Sequence, residues 1–289
     1  MREWETIHIY YYDNQDFLIM NGICPVLKKY NISDFFFIRY WEHGPHIRLR
    51  LLNLDKNTFE AIKVEINTFI KSKPSDIRII KDEYCKLSAD YAKKENINKK
   101  NISYMLPNNT LHNAAYIPEI EKFHGEKGVT IAEEEFIYSS ALAVNVLNVA
   151  NAKKQKLYFG AAFALSLLNT VMKNKNELKS FIILYREYWE RYVALNPNIK
   201  IRMMVNIKDH TINVEAINKI KNFYTTNNFE KIHKSIFNKI ADLSNNSRRT
   251  TCDFLMNFIH LFNNRIGIIP LEEIEIMMIC KKIIEDNDE

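Results

Sequence analysis

The spacing of apolar residues changes once along this chain, and that change limits the architectures open to it. Up to about residue 85 the apolar positions alternate, or run in short β-branched and aromatic blocks. From about residue 129 they recur every three to four residues. Such a chain folds as a sheet-bearing region followed by a helical one, which is the α+β class. With six glycines and seven prolines in 289 residues there are few turn sites, so the elements are long.

Within the first region, WETIHIYYY (4–12) is β-branched and aromatic and reads as a strand. NQDFLIMNGICPVLKKYN (14–31) has helical spacing, with Pro25 placed to kink or split it. DFFFIRYW (34–41) is a second strand, Glu42 to Pro45 a turn, and HIRLRLL (46–52) a third strand. Asp55 or Asn57 caps a helix through TFEAIKVEINTFIKS, and DIRIIKDEYC (76–85) reads as a fourth strand. The order β-α-β-β-α-β is that of a ferredoxin-like sheet layer, expected to pack on a C-terminal helical layer. The expected division is 1–115, with a mobile Lys- and Asn-rich insertion near 86–114, and a mainly helical 116–289 sharing its core. In the second part Thr130 and Glu133 are spaced as a capping box. Further helices are expected near 154–173, 176–194, 211–225, 228–242, 247–263 and 270–285.

Composition removes several function classes. A net charge of +5 without a basic tail makes direct nucleic-acid binding an unneeded assumption. Cys24, Cys85, Cys252 and Cys280 are far apart, with neither disulfide-framework nor zinc-site spacing, which fits a reducing cytoplasm. There is no apolar run of the roughly 20 residues that cross a bilayer, and MREWETIHIYYYD does not read as a signal peptide. GxGxxG, phosphate-loop and GxSxG motifs are absent. His8, His112, His210 and His233 lack ligand spacing, so neither a metal nor a cofactor is expected.

Two stretches carry candidate chemistry. In HGPHIRLRLL, strand alternation puts His46, Arg48 and Arg50 on one face and Ile47, Leu49 and Leu51 on the other. A solvated charged face explains this, and so does a two-guanidinium clamp for carboxylate or phosphate. His260 lies beside an apolar helical stripe of Phe254, Phe258 and Leu261; it is either a core-edge histidine or a general acid–base group. YIPEIEKFHGEKG (116–128) adds Tyr116, Glu119 and His124, as a loop-to-helix junction or a cleft edge.

Taken in order, W-x-x-x-H-I-Y-Y-Y, FFFIRYWEHGPHIRLRLL, YIPEIEKFHG with AEEEFIYSS, and NFIHLFNNRIGI resemble the lantibiotic dehydratase C-terminal family. That family is also called the thiopeptide-type bacteriocin biosynthesis domain, and the likeness runs from about 4 to 280. It implies chemistry on a ribosomal precursor peptide with its leader: glutamate is eliminated from glutamylated Ser or Thr, leaving a dehydroamino acid. The implied catalytic residues are Arg48, Arg50 and His260, meeting in one pocket, with Arg39, His46, Tyr116, Glu119 and Arg265 as binding residues. The implied partner is a separate tRNA-dependent glutamylating subunit, and a homodimer is compatible. Eliminating members carry an arginine in Y-x-R-E, where this chain has Tyr116-Ile117-Pro118-Glu119. Arg39, Arg265 or a lysine would then substitute. Otherwise the chain is a [4+2] cycloaddition enzyme forming a thiopeptide pyridine from two dehydroalanines, or a non-catalytic leader-binding module.

Overall fold

A computed structural model describes residues 2–94, 104–193, 214–226, 228–243 and 247–286. It is an α+β protein that divides into two units, residues 1–118 with 136–148, and residues 119–135 with 149–289.

The first unit is built on a four-stranded antiparallel sheet in the order β2-β3-β1-β4. The strands are β1 (Trp4–Tyr10), β2 (Phe35–Tyr40), β3 (His46–Leu52) and β4 (Thr110–Ala114). Between β1 and β2 run α1 (Gln15–Phe17), a wider π segment (Leu18–Ile23) and α2 (Cys24–Lys29). Pro25 opens α2, where its missing N–H breaks the regular ladder, so the expected split appears as this π segment. Asp55 caps α3 (Lys56–Ser72) by accepting from the backbone N–H groups of Asn57 and Thr58, both at 3.0 Å. Buried Phe59, Ile62, Ile66 and Ile70 mark the inner stripe of α3, at the spacing of an amphipathic helix. The opposite sheet positions Ile7, Ile9, Phe37, Ile47, Leu49 and Leu51 are all buried.

Residues 76–85 are not the fourth strand. Residues 74–80 have no regular structure, and α4 (Lys81–Lys94) begins with Asp82 and Glu83 in its first turn. The backbone of Ser75 is taken by asparagine side chains instead of a ladder. Its carbonyl accepts from Asn108 and Asn109, and its N–H donates to Asn109 Oδ1 at 2.8 Å. The fourth place in the sheet goes to Thr110–Ala114, inside the stretch expected to be an insertion; residues 95–103 of that stretch lie outside those described.

The first unit also takes residues 136–148 of α5 (Glu126–Val149), whose Leu142, Ala143, Val146 and Leu147 are buried. Ser140 Oγ accepts the edge N–H of Phe37 at 3.3 Å, which blunts the outer side of β2. Thr130 is not a cap: the helix starts four residues earlier, and Thr130 Oγ1 donates to the carbonyl of Glu126 at 3.0 Å.

The second unit is helical. After the first part of α5 come α6 (Lys153–Val171), α7 (Lys175–Tyr192), α8 (Val214–Thr226), α9 (Phe229–Leu243), α10 (Arg248–Arg265) and α11 (Pro270–Asp286). Each falls within a few residues of its expected position; residue 194 of the second and residues 211–213 of the third lie outside the described set. α6 is buried along most of its length and packs against α8, α9, α10 and α11. Gly267, at φ +82°, closes α10: its N–H donates to the Asn264 carbonyl and that of Ile268 to the Asn263 carbonyl, turning the chain into α11. No described helix is long and apolar enough to cross a membrane.

Candidate active site

Strand register collects the polar residues of the first unit on one face. Arg50 lies opposite Thr6 and Phe36, Arg48 opposite His8 and Ile38, and His46 opposite Tyr10 and Tyr40. On the far side of β1, His8 faces His112 and Tyr10 faces Thr110. β3 is an inner strand and its charged face is covered: His46 is 0% exposed and Arg50 8%. That rules out the solvated-surface explanation of the alternation.

Arg48 is fixed on three sides. Its guanidinium stacks 3.5 Å from the centroid of the Tyr40 ring, Nη2 donates to Glu42 Oε2 at 2.9 Å, and Nε donates to His46 Nε2 at 3.2 Å. Since His46 Nε2 accepts, its hydrogen is on Nδ1, which donates to the Gly44 carbonyl at 2.8 Å. Gly44 has φ +117°, in a turn where a Cβ would strike the Tyr12 hydroxyl, so glycine is required there. Arg50 lies over two rings, 5.0 Å from the centroid of Phe36 and 5.1 Å from that of Tyr116. Trp4 completes this aromatic group, 4.6 Å from Phe36 and 6.1 Å from Tyr116.

Burial, and then the charge of Arg48, push the His46 imidazole down to about 2 and that of His8 to about 3; Arg50 adds to the effect at His8. Both are therefore neutral, and the face carries its positive charge on the guanidinium groups. Burial raises the Tyr10 hydroxyl well above its ordinary value. Two oriented guanidinium groups on a stiff support are chemically suited to receiving an anion or oxyanion.

Arg39 is one register step out of this set. It lies on the opposite face of β2 and pairs with Asp16 at 2.6 Å.

In the second unit His260 is on α10, its side chain 27% exposed, and Trp189 of α7 lies 4.7 Å away between ring centroids. Its Nδ1 is 2.6 Å from Glu273 Oε1. The helix's buried stripe is Phe254, Leu255, Phe258, Ile259 and Phe262, with Leu261 only half-buried, so His260 stands at the stripe's margin. Arg265 is fully buried, in the electrostatic reach of Glu135, and burial pulls it down to about 10. Glu135 is in turn 3.9 Å from His233, both fully enclosed. Glu119 is exposed and pairs with Lys122 at 3.2 Å, while His124 Nε2 is 3.1 Å from Asp253 Oδ2.

The structure therefore gathers Arg48, Arg50, His46 and Tyr116 in the first unit and places His260, Arg265 and Glu119 in the second. Three neighbours of these side chains were not among the sequence-based candidates: Glu42 beside Arg48, His8 opposite Arg48 on β1, and Glu273 beside His260. His8 had a signal, since it stands in the W-x-x-x-H stretch on a strand whose partner could be inferred. Among the described residues, no group of three or more His, Cys, Asp or Glu side chains could hold a metal ion.

Comparison with known proteins places this geometry in context. The family model described as lantibiotic biosynthesis dehydratase C-term matches residues 4–284. The epidermin biosynthesis protein EpiB of Staphylococcus epidermidis is 26% identical over 298 aligned residues, covering 98% of this chain and 26% of EpiB. The chain thus spans about a quarter of that relative's length. Among solved structures, the pyridine synthase TbtD from thiomuracin biosynthesis superposes with a TM-score of 0.75 at 16% identity, covering 99% of this chain and 98% of TbtD. The tRNA-dependent lantibiotic dehydratase MibB from Microbispora sp. 107891 gives 0.56 at 14% identity, covering 98% of this chain and 28% of MibB. These two likenesses concern the fold.

Proposed function

Because the chain belongs to the lantibiotic biosynthesis dehydratase C-terminal family, a family of lantibiotic and thiopeptide biosynthesis, we propose that it eliminates glutamate from glutamylated Ser or Thr residues of a leader-bearing precursor peptide. The observation that carries this reading is the oriented guanidinium pair of β3 on a covered sheet face. An α-proton beside an amide is weakly acidic, and the negative charge developing on the amide oxygen needs fixed positive neighbours. In the proposed step a base removes that proton. The C–H electron pair becomes the Cα=Cβ bond, the Cβ–O bond breaks, and glutamate leaves as its carboxylate. Arg48 and Arg50 stabilise the anionic oxygen and the departing carboxylate, and His260 is the base. The proposed partners are the precursor peptide and a tRNA-dependent glutamylating protein. No cofactor is invoked, and the proposed setting is the cytoplasm.

Two observations favour a second reading. By the resemblance, Pro118 stands where eliminating members carry an arginine, and Glu42 already engages Arg48. Both reduce the capacity for an anionic leaving group. A [4+2] union of two dehydroalanines expels no carboxylate and needs only polarisation and proton transfer, which the same residues supply.

Incubation with a glutamylated precursor separates the two by mass. Loss of glutamate is expected, with Arg48→Ala and Arg50→Ala each slowing turnover by on the order of a hundredfold or more. Unchanged turnover in both variants would remove the role given to the pair. Leader release from a peptide already carrying two dehydroalanines, with glutamylated peptide left intact, would select the cycloaddition. Leader binding without change to either substrate would select the recruiting module.

A further inference from the structure

We propose that Glu273 is a positioning residue for His260, holding one tautomer of its imidazole so that Nε2 is the nitrogen that accepts a proton. This inference rests on the reading of His260 as the base.

Glu273 lies in the first turn of α11 and is completely buried, yet its carboxylate is fully engaged by three side chains. Oε1 is 2.6 Å from His260 Nδ1. Oε2 accepts from the Tyr185 hydroxyl and from Asn263 Nδ2, the latter at 3.3 Å. Tyr185 and Asn263 are themselves fully enclosed, so the carboxylate is anchored on one oxygen and presents the other to the imidazole. A carboxylate only accepts, so the hydrogen of neutral His260 must be on Nδ1, and Nε2 bears the lone pair. Trp189 of α7 lies beside the ring, 4.7 Å between centroids. His260 is the one member of the group with a partly exposed side chain, so proton exchange with a substrate takes place there. On taking a proton the imidazolium gains a buried negative partner already in place, which lowers the cost of charge separation without rearrangement. Support for a base by a third group in this way is the general logic of acid–base triads.

Glu273→Gln tests the arrangement sharply. Two donors, Tyr185 and Asn263, converge on the Oε2 position and hold the new carbonyl oxygen there. The amide NH2 then faces Nδ1, which must accept, and the ring hydrogen moves to Nε2. Histidine-selective 15N spectra of the native protein should show His260 protonated at Nδ1, and those of Glu273→Gln at Nε2. With glutamylated precursor, kcat should fall on the order of a thousandfold or more with little change in KM, and Glu273→Asp should restore part of it. A native spectrum protonated at Nε2 overturns the proposal, as does a Glu273→Gln variant with unchanged tautomer and turnover. If Glu273→Gln fails to fold, the native tautomer and the pH–rate profile of Glu273→Asp still decide: a displaced profile supports the proposal and an unmoved one overturns it. Full turnover by His260→Ala would instead strike the base assignment, a failure recognisable because the native spectrum is unaffected by it.

Discussion

His8 and His46 show how burial sets charge at individual positions. Their depressed values, about 3 and about 2, fall below the unfolded reference near 6.5. Between those limits the unfolded chain binds more protons than the folded one, so stability falls as pH drops below about 6.5. The loss continues towards the folded values, with a slope of up to about 1.4 kcal/mol per pH unit for each histidine. Urea unfolding at pH 7.5, 6 and 5 should show falling midpoints, and His46→Gln should flatten the dependence. A flat native profile would contradict the neutral assignment. Arg265 illustrates the limits of a local motif at this scale. Its place after His260 in IH-x-x-x-NR gave it a binding role by resemblance, while its environment includes Glu135 of α5, a neighbour that no short window of sequence reveals.

Among the elements, β3 was the most legible, because alternation alone placed His46, Arg48 and Arg50 together and its bounds followed from the turn before it and the Asn after it. The later helices were readable for the same reason, their apolar stripes being long and regular. Residues 76–85 were not, since Ile77, Ile79 and Ile80 carry strand propensity that two distant asparagines override by claiming the Ser75 backbone. The turn before β3 is where a small change should do most. Gly44→Ala forces alanine into φ +117° and its Cβ against Tyr12, at a cost of about 2 kcal/mol. It also shifts the carbonyl that fixes His46, so turnover should fall as in Arg48→Ala. Native turnover at the lowered stability would show that this support is dispensable. Glu273 left only a faint trace, an acidic residue in the first turn after Pro270, which is ordinary helix-start composition.

Over the molecule as a whole, the change in hydrophobic period marked the α+β division but not the way α5 is shared between units. Local spacing identifies a helix without saying which core takes which turn. The sharing has a testable result. A fragment of residues 1–118 lacks Leu142, Ala143, Val146 and Leu147, which are buried in its unit, and should not show cooperative unfolding by itself. Adding a peptide of residues 136–148 in trans should restore a transition and protect amides of β2, whose Phe37 N–H it covers. Cooperative folding of the fragment without the peptide would show that the segment is not needed. The pairing of Glu42 with Arg48 bears on the reaction cycle as well as on binding. In the proposed elimination, a departing anion would meet a rival carboxylate already held beside Arg48, so a spent leaving group would be readily exchanged. Such a site would give up grip on its by-product in return for clearing itself between turnovers.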